Sequence, residues 1–120
     1  MERFKSLDVW KVAYSTAFAA YRATQRPPLS RHFTLSDQIR RASASIPANL
    51  AEGHGLGTRL QLVRCTRIAL GSAYELAVHI QLAADLDLLS ADDATGLRAQ
   101  CHRTAQLLGG LLRGLKRQPR

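Results

Sequence analysis

Carboxylates, cysteines and long apolar runs are all in short supply in this sequence, and each shortage removes a class of protein. No stretch of about 18 apolar residues occurs, and the opening segment from Met1 to Trp10 is broken by Glu2, Arg3, Lys5 and Asp8. The expectation is therefore a chain without a membrane span or secretory signal, working in the cytoplasm. Two cysteines, Cys65 and Cys101, in 120 residues make no disulfide framework. If they lie on consecutive helices that turn near Leu89 and Ser90, they sit ~20 Å apart at ~1.5 Å per residue, beyond disulfide reach. Both read as small buried hydrophobes.

Catalytic constellations are missing as well. There is no Ser-His-Asp or Cys-His pair at a recognisable spacing and no pair of carboxylates placed for acid-base work, so no catalytic residue is expected. The run Gly53-His54-Gly55-Leu56-Gly57 has no strand before it and no Lys-Ser/Thr after it, which makes it a linker and not a phosphate-binding loop. His79 and the pair Cys101-His102 fall level across a helical hairpin. However, consecutive positions diverge on a helix and no fourth ligand is evident, so neither a metal nor another cofactor is expected.

What is present is helical. Strict two-residue alternation is absent, whereas apolar residues recur at three- and four-residue spacing in four blocks, which predicts helices at about 7–26, 35–52, 58–87 and 91–115. The length and the 46% hydrophobic content fit one domain, 1–120, with a single core. The first block carries Leu7, Trp10, Tyr14, Ala17 and Tyr21 on one stripe, with Ser6 as N-cap and Pro27-Pro28 as stop. Trp10, Tyr14 and Tyr21 could be base-stacking platforms, but their helical spacing with Leu7 reads as core.

In the second block, Thr34 with Asp37 makes a cap-like start, and Leu35, Ile39, Ala42, Ile46 and Leu50 face inward. Pro47 predicts a kink or break there, with Ser43 or Ser45 satisfying the freed carbonyl, and Gly53 predicts the end. Thr58 with Gln61 and Ser90 with Asp93 open the third and fourth blocks. The fourth has the cleanest seam: Leu97, Cys101, Thr104, Leu108, Leu111 and Leu115. Gly109, Gly110 and Gly114 weaken its end, so the basic tail 116–120 is expected to fray.

Short loops between long helices force antiparallel neighbours, hence an all-α, up-down-up-down four-helix bundle. The third helix is apolar over more than the stripe of Leu62, Cys65, Ala69, Ala73, Leu76, Ile80 and Ala83, because Ile68, Ser72, Leu82 and Leu86 lie beside it. Either that stripe is wedged between two neighbours or, the reading favoured here, it meets a second subunit.

Charge is the remaining signal. Lys and Arg number 17 against 9 Asp and Glu, a net +8, and 14 of the 17 are Arg. A GC-rich genome would also favour Arg over Lys, but it does not account for the excess. Guanidinium forks suit phosphate, so an anionic partner such as nucleic acid follows. Bundle topology collects Arg3, Lys5, His54, Arg59, Arg113, Lys116, Arg117 and Arg120 at one end. It places Asp85, Asp87, Asp92 and Asp93 at the other, partly offset by Arg26, Arg31 and His32.

Two segments carry a more specific signal. The string from Gln38 to Gly53, with its Ser45-Ile46-Pro47-Ala48-Asn49 block followed by Ala51-Glu52-Gly53, and the string Ile68 to Leu76 closely resemble one four-helix-bundle family. It comprises proteins encoded in ribosomal-RNA intervening sequences and the accessory variability determinants of diversity-generating retroelements. The opening Phe4 to Ala13 resembles that family's N-terminus, whereas His54 and Leu56 depart from its more polar pattern.

The resemblance implies a homopentameric barrel of bundles with a positive surface. In the retroelement branch it implies binding to a reverse transcriptase and to nucleic acid during mutagenic copying of a template RNA into cDNA. Arg40 and Arg41 match the family's paired basic residues. With Arg59, Arg64, Arg67, Arg113, Lys116 and Arg117 they are the candidate nucleic-acid or partner contacts, although one of the pair could instead meet Glu52 or Glu75 inside the oligomer. Glu75, expected on the inner half of the third helix, Glu52 and Asn49 are read as structural hydrogen-bonding groups. The alternative to nucleic-acid binding is a protein-interaction scaffold whose basic face docks an acidic protein.

Overall fold

The computed structural model describes residues 7–117. Four helices follow one another: α1 (Asp8–Ala23), α2 (Phe33–Gly55), α3 (Arg59–Asp85) and α4 (Ala91–Arg117), with a 3-10 turn at Leu29–Arg31 and, among the described residues, no strand. They form an all-α antiparallel bundle in which each helix packs on its two neighbours in the order α1, α2, α3, α4 and back to α1, a rod of 49 × 23 × 21 Å.

Local chemistry explains most boundaries. Thr58 Oγ1 accepts from the Gln61 amide at 3.1 Å and Ser90 Oγ from that of Asp93 at 3.1 Å, the two caps expected for α3 and α4. At α2 the expected cap, Thr34, is displaced: the helix starts at Phe33, and His32 Nδ1 accepts from the Leu35 amide at 3.4 Å. Ser6, the expected cap of α1, lies outside the described residues, and Leu7 occupies the N-cap position without a side-chain hydrogen bond. The α3 C-terminus closes in a Schellman turn: the Leu88 amide donates to Ala83 O (2.8 Å), that of Asp87 to Ala84 O (3.0 Å), and Asp87 takes the left-handed φ of 59°.

The second helix overrides both of its expected interruptions. It runs unbroken through Pro47, which is buried and whose carbonyl accepts from the Trp10 indole at 3.2 Å. Neither serine turns to the freed carbonyl: Ser43 Oγ donates to Arg40 O, and Ser45 Oγ pairs with Ser72 Oγ at 2.8 Å. Burial of Ile46 and Leu50 on either side of the proline offsets its loss of one hydrogen bond. Nor does Gly53 end the helix, which continues to Gly55. A Cβ at Gly53 would lie 2.9 Å from Cys65 Cβ and 3.2 Å from Leu62 Cα, so the glycine is there to let α2 and α3 touch. The turn itself falls to Gly57, at φ 78°.

The core contains Leu35, Ile39, Ile46, Leu50, Leu76, Ile80 and Leu108, with Leu29 buried in the turn after α1. All five inward positions expected of α2 are buried, and so is the α4 seam apart from half-buried Leu111. The α4 end does not fray at residue 116: Leu115 is buried, the helix continues to Arg117, and 118–120 fall outside the described residues. Cys65 and Cys101 are free and buried, and burial pushes the Cys101 thiol up to about 11.

The aromatic stripe of α1 is reversed at Tyr14 and Tyr21, whereas Trp10 packs against the core and Ala17 is buried. The core face of α1 is Ala13, Thr16, Ala17, Ala20 and Ala23, and Thr16 Oγ1 meets Thr104 Oγ1 of α4 at 2.9 Å in the interior. Tyr14 and Tyr21 remain 51% and 44% exposed and Trp10 is half-buried. Small side chains let α1 close on its neighbours, and the bulky stripe, about a quarter-turn away, is left on the outer edge beside α2.

Candidate nucleic-acid interface

The eight candidate cations divide into two groups. The larger one is built at the end of the rod where α3 begins and α4 finishes. Arg59, in the first turn of α3, reaches across to α4 and donates from Nε and Nη2 to Leu115 O at 3.0 and 2.8 Å. It thus satisfies a carbonyl in the last turn of α4, where the helix dipole is negative. That contact brings Lys116 and Arg117 beside the start of α3. Arg113 lies one turn earlier, its guanidinium folded back over Gly109, where an added Cβ would lie 3.3 Å away. Arg64 and Arg67 continue the group along α3, ~7 and ~12 Å from Arg59 at ~1.5 Å per residue.

Arg64, Arg67, Arg113, Lys116 and Arg117 are all exposed, and none forms an ion pair among the described residues. Asp8 and Glu52 share this end but pair with none of the five. These five cations thus lie on the first turns of α3 and the last turns of α4. Arg3, Lys5 and Arg120, also expected there, lie outside the described residues.

Arg40 and Arg41 sit toward the other end, by the C-terminus of α1. Arg40 is half-buried: its Nε donates to Thr24 Oγ1 at 2.8 Å and its guanidinium covers the Tyr21 ring at 5.4 Å. Arg41 is exposed and pairs with Asp37 at 2.9 Å, so neither meets Glu52 or Glu75 within the subunit. The acidic pole is likewise partly neutralised, by Arg26 against Asp93 at 3.0 Å.

The polar residues sort differently from expectation. Asn49 donates to Ser45 O (2.8 Å) and Ser45 Oγ (3.0 Å), continuing the Ser45–Ser72 link between α2 and α3. Glu75 is not on the inner half of α3: it is exposed, and its partner is His79, one turn on, at 3.2 Å. Glu52 is exposed too. Ser72 sits at the edge of the buried stripe of Ala69, Ala73, Leu76 and Ile80, and Glu75 lies a further ~60° round the helix on the side away from that stripe, which puts it in solvent. Cys101 points inward and His102 outward, and among the described residues no three His, Cys, Asp or Glu side chains converge as metal ligands.

A second feature is apolar. On α3, Ile68, Tyr74, Val78, Leu82 and Leu86 are exposed, Val78 by 65%, a strip that begins where the arginines end. Of the surplus residues read from the sequence, Ile68, Leu82 and Leu86 are uncovered in the single subunit, whereas Ser72 faces α2 through Ser45. No described helix is long and apolar enough to cross a membrane.

Comparison with known proteins adds a lineage. Residues 5–110 match the family described as 23S rRNA-intervening sequence protein. Among solved structures, a protein of unknown function from the S23 ribosomal protein family of Bacteroides thetaiotaomicron has the same fold, with a TM-score of 0.79 at 20% identity. The alignment covers 87% of this chain and 97% of that one. No curated protein matches the chain.

Proposed function

The chain belongs to the 23S rRNA-intervening sequence protein family, and from that premise we propose that it is a non-enzymatic, self-associating accessory protein that grips the phosphates of RNA or cDNA. In the cell its protein partner is a reverse transcriptase of the diversity-generating retroelement kind, and its assembly is a homopentameric ring.

The observation that carries the reading is the zone of Arg64, Arg67, Arg113, Lys116 and Arg117, exposed and without carboxylate partners. Such a zone attracts any polyanion, releases its counterions on contact and reads no bases. Repeated around a ring, it would hold a template near a polymerase without touching the chemistry. The uncovered strip on α3 supports self-association, because burying Val78 and its neighbours against a second copy removes an apolar surface that monomers seldom expose.

Salt dependence tests this. With five phosphates neutralised per subunit, the logarithm of the affinity for a single strand falls with the logarithm of salt at a slope of about −3.5, and Arg64→Ala with Arg67→Ala flattens it by about 1.4. A flat response in a filter-binding titration refutes phosphate gripping. Light scattering after size exclusion should show an oligomer that Val78→Asp dissociates; a monomer of the natural sequence refutes self-association. The same α3 strip favours a second reading, a protein scaffold that never meets nucleic acid. In that case reverse-transcriptase capture survives nuclease treatment while the salt titration shows no nucleic-acid binding.

A further inference from the structure

Between α1 and α2 runs an open groove of about 610 Å³ whose α1 wall is aromatic. Trp10 stacks on Tyr14 with ring centres 5.1 Å apart and planes 21° from parallel, and Phe18 and Tyr21 continue the row. Tyr14, Phe18 and Tyr21 are exposed, Phe18 by 56%, so these three rings are only half used by the fold. Steps of four, four and three residues space them ~6, ~6 and ~4.5 Å along the helix axis. Opposite lie Ala44, Pro47, Ala48 and Ala51 of α2, side chains too small to fill the groove.

Cations attend the row. The Arg22 guanidinium lies 5.7 Å from the Phe18 centroid and that of Arg40 lies 5.4 Å from Tyr21's, the latter fixed by its bond to Thr24. Among the described residues no carboxylate lines the groove, and Arg22 makes no ion pair.

We propose that this groove is a stacking platform for unpaired bases, so that single-stranded nucleic acid binds here through base faces as well as through phosphates. Resting on the phosphate-gripping reading above, it adds a second, base-dependent contact. Aromatic rows with flanking arginines take any base, since every base has a π-face and the guanidinium can meet the phosphate beside it. An apolar helix, whether of a second copy or of another protein, would bury the rings but strip water from Arg22 and Arg40 without supplying a counter-charge, which is costly. A duplex offers no free base face.

The only tryptophan of the chain is in the row, which supplies a direct probe. The intact protein is titrated with oligouridylate and with an abasic strand of equal length and phosphate count, following Trp10 emission. Oligouridylate should quench Trp10 and bind more tightly than the abasic strand. Phe18→Ala should weaken oligouridylate binding roughly ten-fold or more, Phe18→Trp should restore it, and abasic binding should not change. Phe18 is exposed, so the variant folds, and a circular-dichroism melt checks this. Equal loss on both strands, or none on either, overturns the platform while leaving phosphate binding in place. No binding of either strand to the natural protein overturns both readings. If Phe18→Ala lowers the oligomeric state seen by light scattering, the groove is a subunit contact and the platform is refuted.

Discussion

Replacing Gly53 with alanine isolates the contact that sets the spacing of α2 and α3. The new Cβ would stand 2.9 Å from Cys65 Cβ and 3.2 Å from both Leu62 Cα and Leu62 Cδ1. The first distance is shorter than side chains tolerate, and the Leu62 Cα cannot rotate away, so the two helices must part. Overpacking of this kind costs ~1–3 kcal/mol. Working against it is the helix propensity gained on losing a glycine, at most ~1 kcal/mol and less this near the helix end. Gly96→Ala in α4 supplies the control, because a Cβ there meets nothing within 4 Å and only the propensity gain remains.

The two variants should therefore differ by ~1–3 kcal/mol. With an unfolding entropy of ~2.1 cal/mol/K per residue over 120 residues, that separates their melting temperatures by about 4–12 °C. Melts by far-ultraviolet circular dichroism at one fixed protein concentration, so that self-association does not shift them, make the comparison. If Gly53→Ala melts as high as Gly96→Ala, the glycine is not holding the helices together and the close-approach argument is wrong.

Two further outcomes follow from local geometry. Asp87 holds a left-handed backbone in the Schellman turn after α3, so Asp87→Gly should stabilise by ~0.5–1 kcal/mol and Asp87→Ala should destabilise, as read by urea denaturation. Cys101 titrates at about 11 when folded against an ordinary 9.0, so above pH 9 the unfolded chain loses this proton first. Stability should consequently decline by ~1.4 kcal/mol per pH unit between 9 and 11 on account of this thiol. Cys101→Ala should show a correspondingly shallower decline in pH-dependent melts, and an identical one would refute the assignment.

The bundle was legible in the sequence because its signals were periodic and local. The α2 and α4 stripes, the caps at Thr58 and Ser90 and the antiparallel order each depend on residues a turn or two apart. What misled the reading depended on contacts across the bundle. Pro47 and Gly53 look like interruptions of an isolated helix, yet Pro47 is held by Ile46, Leu50 and the Trp10 indole, and Gly53 is required by the backbone of α3. Glu75 shares a broad face with Ser72, and only the packing of α2 and α4 shows that the buried stripe ends at Ser72, ~60° short of Glu75. Which cations fall at one end of the bundle was legible from topology; that Arg59 is engaged by Leu115 O, and that Arg40 covers Tyr21, was not.

The reversal in α1 has the widest reach. Hydrophobic size suggested that Trp10, Tyr14 and Tyr21 face the core, because burying a large ring contributes more than burying a methyl. That argument treats each helix alone. In the bundle, α1 must fit between α2 and α4, with Thr16 close enough to Thr104 for a 2.9 Å hydrogen bond. An interior of Ala13, Ala17, Ala20 and Ala23 permits this approach, and a ring at any of those positions would push α1 outward and cost dispersion contacts along its whole length. The bulky residues are therefore displaced to the α1–α2 edge, where they keep half their surface in water at a continuing free-energy cost. Phe18 is 56% exposed and contributes little to the core; a Phe18→Ala variant as stable as the parent but deficient for oligouridylate would separate a packing role from the proposed binding role.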